Sequence, residues 1–339
     1  MVGGKRKNVS EFAVSFFSSK WLMLTASDLL SDNILGENCE KEKEIIDSSH
    51  IYLITKIPSF SFEKDSLHYE NGVLSTILNY KINGEKNLIP HRMEFPLVDN
   101  ATKIKVSEYP HREILTFNDE SDETIRFVPA NHIGLYYGME TKKKEINSFE
   151  VLYVGQAYGD GSRTTFERLK NHSTLQKILA DVNYNSPDDE VYIFIFIYEP
   201  YNIITSMDGR AKVENNSSFN DGKRFYSILK NPLTEYQQIC LIEAGLIRYF
   251  QPKFNKIYKD CFPSKKHKIL EECYNLDFSG LVVEINTDEL HLSLHSQFTK
   301  SKQHHIAKFN LNNEKDRYGF FHFTLSENEK PFIQSDVIS

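Results

Sequence analysis

The chain has 339 residues, 40% apolar, 13% aromatic and 26% charged, with a net charge of −7. That length leaves room for two or three domains, each able to bury its own core. The acidic balance excludes a protein held to nucleic acid by bulk charge alone, and no apolar run reaches the length of a membrane span.

The charge is unevenly placed. Residues 131–260 are neutral on balance while both flanks are acidic, so the middle repels a polyanion least. The four cysteines, Cys39, Cys240, Cys261 and Cys273, include no CxxC pair; they read as reduced thiols of a cytoplasmic protein. Lys5-Arg6-Lys7 followed by Phe12 to Phe17 imitates a signal peptide, but Lys20 interrupts the apolar run and no clean cleavage site follows.

Residues 1–130 read as a β-rich or α+β region. Ile51 to Ile57 and Val73 to Ile82 are expected strands, and Asn83-Gly84 after the second signals a tight hairpin, since both residues tolerate positive φ. Pro90-His91-Arg92 and Pro110-His111-Arg112 read as loop edges, and Asn118 to Glu123 as an acidic linker.

Two strand-like runs follow, Asn131 to Gly138 and Leu152 to Gln156, flanking Lys142-Lys143-Lys144. Folded as a hairpin centred between Lys144 and Glu145, they set Tyr136 opposite Tyr153 and Gly134 opposite Gly155. Directly opposed residues share one face, and glycine there leaves a clearing that admits a ligand backbone. A cross-strand tyrosine pair that only packs is the alternative.

A loop over Ala157 to Ser162 precedes a predicted helix from Thr164 to Val182, with Phe166, Leu169, Leu175, Ile178, Leu179 and Val182 at helical spacing. Arg168 and His172, four apart, share its face; a guanidinium there can steady charge on a phosphoryl oxygen, or the face is simply solvated. Val191 to Tyr198 reads as a strand buried on both sides, and Asp208 to Arg224 as a polar loop. Asn231-Pro232 is expected to open a second helix running to Phe250, ahead of Pro252. Its stripe Tyr236, Ile239, Glu243, Leu246, Phe250 puts one carboxylate on an apolar face. Such a group needs a partner, a proton or a metal; one carboxylate, waters and a substrate phosphate suit Mg²⁺, and a boundary ion pair is the alternative. Asn255 falls in the following turn, where it can brace a loop or reach a tyrosine. Residues 261–339 read as a small β-rich region, and His291, His295, His304 and His305 are spaced too poorly for a metal.

Gly134-Leu135-Tyr136, Tyr153-Val154-Gly155, Arg168-Leu169-Lys170-Asn171-His172, Ile242-Glu243-Ala244-Gly245 and Gln251-Pro252-Lys253-Phe254-Asn255 together resemble the GIY-YIG nuclease family over about residues 131–258. The resemblance implies an α+β fold. A GIY-YIG-like α/β/α-type module with a small antiparallel sheet would occupy 131–260, flanked by β-rich regions at 1–130, supplying target recognition, and at 261–339. It implies phosphodiester hydrolysis with Mg²⁺, or Mn²⁺ in its place. Glu243 would hold the metal, Tyr136 orient or deprotonate water, and Tyr153 position phosphate. Arg168 (or Arg163, nearer the family's usual distance) would stabilise the transition state, with His172 assisting and Asn255 fixing geometry. The expected function is a duplex-DNA endonuclease of restriction or genome-defence type, cytoplasmic, with a homodimer compatible. RNA as substrate, or a scaffold that lost the reaction, are the alternatives.

Overall fold

The structure, a computed structural model, describes residues 5–30, 40–118, 124–157, 169, 172–215, 218–264, 266–311, 319–322 and 337–338. The fold is mixed α+β, about 29% helix and 42% strand, and strand dominance matches the aromatic-rich composition. Its centre is one nearly closed β-sheet.

The chain opens with a short strand β1 (Lys5–Asn8) and the sixteen-residue β2 (Ser10–Thr25), then helix α1 (Glu40–Ser48) and β3 (Ile51–Pro58). Between β3 and the next central strand lies an insertion with its own core. It holds β4 (Phe60–Phe62), β5 (His68–Glu70), β6 (Val73–Ile82), β7 (Glu85–Glu94), β8 (Lys103–Val106), β9 (Glu113–Phe117) and β10 (Thr124–Pro129), then helices α2 (Ala130–Thr141) and α3 (Lys144–Asn147). The Asn83-Gly84 turn forms as its dipeptide predicts: both residues have positive φ, 52° and 80°, and Ile82 pairs with Glu85. Pro90-His91-Arg92 is not a loop edge but lies within β7.

Central strands resume with β11 (Ser148–Gln156), helix α4 (Ser173–Asn185), β12 (Asp189–Tyr198), β13 (Asn202–Met207) and β14 (Lys212–Asn215). Then come helices α5 (Ser218–Lys230), α6 (Glu235–Phe250) and α7 (Glu271–Asn275), and strands β15 (Phe278–Asn286), β16 (Ser293–His295), β17 (His304–Asn310) and β18 (Val337–Ile338). The central order is β16-β11-β3-β12-β2-β15-β17-β18, with β13 also on β2. β2 serves two neighbourhoods: its first half pairs β13 and β15, its second half β12.

Val191 to Phe196 are all buried because helices cover both sides of β12. One core joins Phe194 and Phe196 to α6 and α7; the other joins Ile193 and Ile195 to Ile46 of α1 and to Leu175, Ile178 and Val182 of α4. That double cover explains the unbroken apolar run.

Four expectations need correction. The run Asn131 to Gly138 is not a strand: it lies in α2, so no hairpin joins it to β11. Ala130, Gly134 and Gly138 recur every four residues and are buried, and a Cβ on Gly134 would come within 2.6 Å of the Phe60 ring; this is close helix packing, not a ligand clearing. Asp208 to Arg224 contains β14 and the start of α5 rather than a loop. The second helix starts at Glu235, capped by Thr234 in a capping box with Gln237, not at Asn231-Pro232. Finally, strands from all three expected segments share the central sheet, so cuts at 130 and 260 do not separate independent sheets. Asp119 to Glu123, and residues 158–168 of the first predicted helix and its preceding loop, lie outside the described residues.

Candidate active site

The partner of β11 on one side is β3, antiparallel, with Tyr153 opposite Ile54 and Gly155 opposite Tyr52. Alternation then sends Tyr52, Ile54, Tyr153 and Gly155 to one face. The Tyr52 and Tyr153 rings lie 6.2 Å apart at 34°. Gly155 makes room for them: a Cβ there would come within 2.5 Å of Tyr52 Cζ and Oη and 2.7 Å of Tyr153 Cε1. The expected cross-strand pair of Tyr136 and Tyr153 does not form; the ring beside Tyr153 is that of Tyr52.

Tyr136 is not part of this cluster. It sits on α2, 54% exposed, and its hydroxyl is pushed up chiefly by a hydrogen bond to the Glu140 carboxylate one turn on. Tyr52, by contrast, is fully buried. Sequence reasoning passed over it because His50-Ile51-Tyr52 opens a strand separated from β11 by the whole insertion; only the pairing of β3 with β11 reveals it.

His172 completes the cluster. It caps the N-terminal end of α4 with extended backbone, φ −83° and ψ 107°, rather than sitting inside a helix. Its Nε2 lies 3.4 Å from Tyr52 Oη, and its ring is 5.5 Å from that of Tyr153. The first amides of α4 have no intrahelical partners, and such amides favour an anion. Arg168 and Arg163, the two candidate arginines, lie outside the described residues.

Asn255 is buried, and both ends of its side-chain amide bond to the backbone of Val154. Its Oδ1 accepts from Val154 N–H at 2.9 Å and its Nδ2 donates to Val154 carbonyl oxygen at 2.8 Å. Phe254 N–H adds a bond to Leu152 O at 3.1 Å. The side-chain amide thus imitates a strand neighbour on the β16 side of β11, beyond the three residues that β16 pairs, directly between Tyr153 and Gly155. Its role is to position that strand.

Glu243 stands on α6, half-buried, one turn beyond Cys240. Cys240 Sγ meets the side chain of Gln156, the residue after Gly155, at 3.7–3.8 Å, which fixes this stretch of α6 at the end of β11. Burial raises the Cys240 thiol, and the Glu243 charge adds to it. Burial and then Glu243 raise the Tyr258 hydroxyl. The Tyr236 hydroxyl is raised first by its hydrogen bond to Cys240, with Glu243 a lesser cause. The expected apolar stripe is incomplete at its start, since Tyr236 is 54% exposed.

Among the described residues no three His, Cys, Asp or Glu side chains gather to hold a metal. A single carboxylate such as Glu243 could hold a hard cation only with water and phosphate oxygens completing its shell, the habit of Mg²⁺. No helix among the described residues is long and apolar enough to cross a membrane.

No protein-family model, no curated protein and no solved structure matches this chain.

Proposed function

We infer that the protein is a Mg²⁺-dependent endonuclease of GIY-YIG type that hydrolyses phosphodiester bonds, with duplex DNA as the substrate to test first. The reading rests on one observation: Tyr52 and Tyr153 share a sheet face above Gly155 with His172 Nε2 3.4 Å from Tyr52 Oη. It keeps the resemblance over residues 148–258 and replaces Tyr136 by Tyr52, so the segment between the two tyrosines becomes the insertion.

A free phenol, with a pKa near ~10, is a poor base at neutral pH. Here the His172 imidazole, within hydrogen-bond reach of the Tyr52 hydroxyl, is the better candidate for the proton transfer. Tyr52 holds the ring through its hydroxyl, and His172 takes a proton from the attacking water or returns one to the departing oxygen. Tyr153, less buried than Tyr52, hydrogen-bonds a phosphate oxygen. The first amides of α4 add donors for the same anion. A metal on Glu243 would supply charge neutralisation of the phosphate. Arg168 or Arg163 is the proposed guanidinium.

The test is supercoiled plasmid incubated with the full chain and Mg²⁺, with EDTA as control. Nicking that EDTA stops, that Glu243→Ala and His172→Ala abolish, and that Tyr136→Phe leaves unchanged, supports the assignment. Cutting of RNA but not DNA redirects the substrate. Cutting by neither overturns the nuclease reading.

A further inference from the structure

The lysine tip between α2 and β11 takes no part in the site above, yet it forms one wall of a cavity of about 400 Å³. Lys142 and Lys144 come from this tip; Lys302 and His291 come from the segment around β16, far along the chain. The two walls meet where Ser148 pairs with Ser293. No carboxylate lines the cavity, and none of the three lysines makes an ion pair with a described residue. The neighbouring groove is different: there Lys56 is matched by Asp189 at 2.7 Å and Glu150 at 3.5 Å. A lysine at the C-terminal end of α2 complements the helix dipole, which accounts for Lys142 but not for Lys144, the first residue of α3, nor for Lys302 facing them.

The floor is built rather than incidental. Asn147 is 3% exposed, and its Nδ2 donates to the carbonyls of His291 at 3.0 Å and Gly138 at 3.4 Å. Its Oδ1 is buried and receives no hydrogen bond among the described residues. Ser293, also buried, lies beside it on the cavity wall. Three like charges around one concavity repel each other until an anion enters. The volume lies within the range of small-ligand sites, roughly 300–1,000 Å³.

We propose that this cavity binds a phosphate ester of mononucleotide size, its phosphate among Lys142, Lys144 and Lys302 and the rest of the molecule against the Asn147 floor. The site is independent of the nuclease reading: it lies at the opposite end of β11 from Gly155, roughly 17 Å from Tyr153 at the rise of a strand.

Calorimetric titration of the full chain with 5′-AMP, inorganic phosphate and adenosine tests it. AMP is expected to bind one site, phosphate to compete, and adenosine to give no heat. Lys144→Glu with Lys302→Glu, both on exposed side chains, is expected to weaken AMP at least about tenfold with the melting temperature preserved, while Tyr153→Phe binds as wild type. Equal AMP affinity in the charge-reversed variant, or loss on Tyr153→Phe instead, overturns the proposal. So does binding of a short duplex but not AMP, which would make the lysines a backbone contact.

Discussion

Gly155 decides whether two aromatic rings can lie over one strand. Any side chain there meets Tyr52, which is fully buried and cannot swing away, and Tyr153 beside it. Gly155→Ala is expected to lower stability by about 1–3 kcal/mol, the range for overpacking, and to disorder the tyrosine pair; chemical denaturation beside a nicking assay reads both. Tyr52→Phe removes only a hydroxyl. It should leave stability nearly unchanged but release His172, slowing nicking by about 10²-fold and shifting the pH–rate profile. A Tyr52→Phe protein that nicks with wild-type rate and profile would return Tyr52 to a packing role. Tyr136 looked equivalent in sequence because a Gly-x-Tyr run carries no record of which strand, or whether any strand, lies next to it.

The Asn255 bridge shows how an element can be completed by one side chain. Asn255→Ala leaves the Val154 N–H and C=O, both buried, without partners, at about 1–3 kcal/mol for each unsatisfied group. We expect a clear fall in the denaturation midpoint, with Asn255→Asp less damaging because it keeps the acceptor. Thr234→Ala, which breaks the capping box with Gln237, should cost about 1 kcal/mol. Elements with one dominant signal were legible: β3 and β12 from their apolar runs, the β6–β7 hairpin from Asn-Gly, and the end of α6 from Pro252. Others carried competing signals. In α2, glycine and tyrosine imitate a strand, and the stripe Ala130-Gly134-Gly138 that marks the helix is made of residues with little hydrophobic weight. In α5 the first half, with Asn220, Asp221, Gly222, Lys223 and Arg224, is polar enough to read as loop. At α6, Asn231-Pro232 imitates a helix start that Thr234 actually provides. Of the cluster on β11, Tyr153 and His172 were named from the sequence, but the presence of Tyr52 and the bonds of Asn255 to Val154 depend on contacts across some hundred residues, which no local pattern encodes.

At the scale of the molecule, the central sheet binds the chain's beginning, middle and end into one body, and His305 is one of its fastenings. It lies on β17, 1% exposed. Its Nδ1 meets the Tyr249 hydroxyl of α6 at 3.1 Å, and its Nε2 meets the carbonyls of Leu294 and Lys302 at 3.0 Å each. Two carbonyls at Nε2 require the proton there, so the neutral ring is satisfied by donating at Nε2 and accepting at Nδ1 from tyrosine. Burial pushes this histidine down to about 4, from the ordinary 6.5. The unfolded chain therefore takes up the proton first. Between about pH 6.5 and pH 4 it binds more protons than the folded state, so stability falls as the solution is acidified through that window and is fully present above it. The size of the effect is about 3 kcal/mol, on the scale of 1.36 kcal/mol per pKa unit. His295 and His267 are also lowered by burial and act in the same direction, so the measurement must be a difference. Urea denaturation of the wild type and of His305→Gln at pH 7.5 and pH 4.5 supplies it. The variant should start less stable at pH 7.5 and lose less on acidification. Parallel losses in the two proteins would mean that His305 does not carry the acid sensitivity of the sheet.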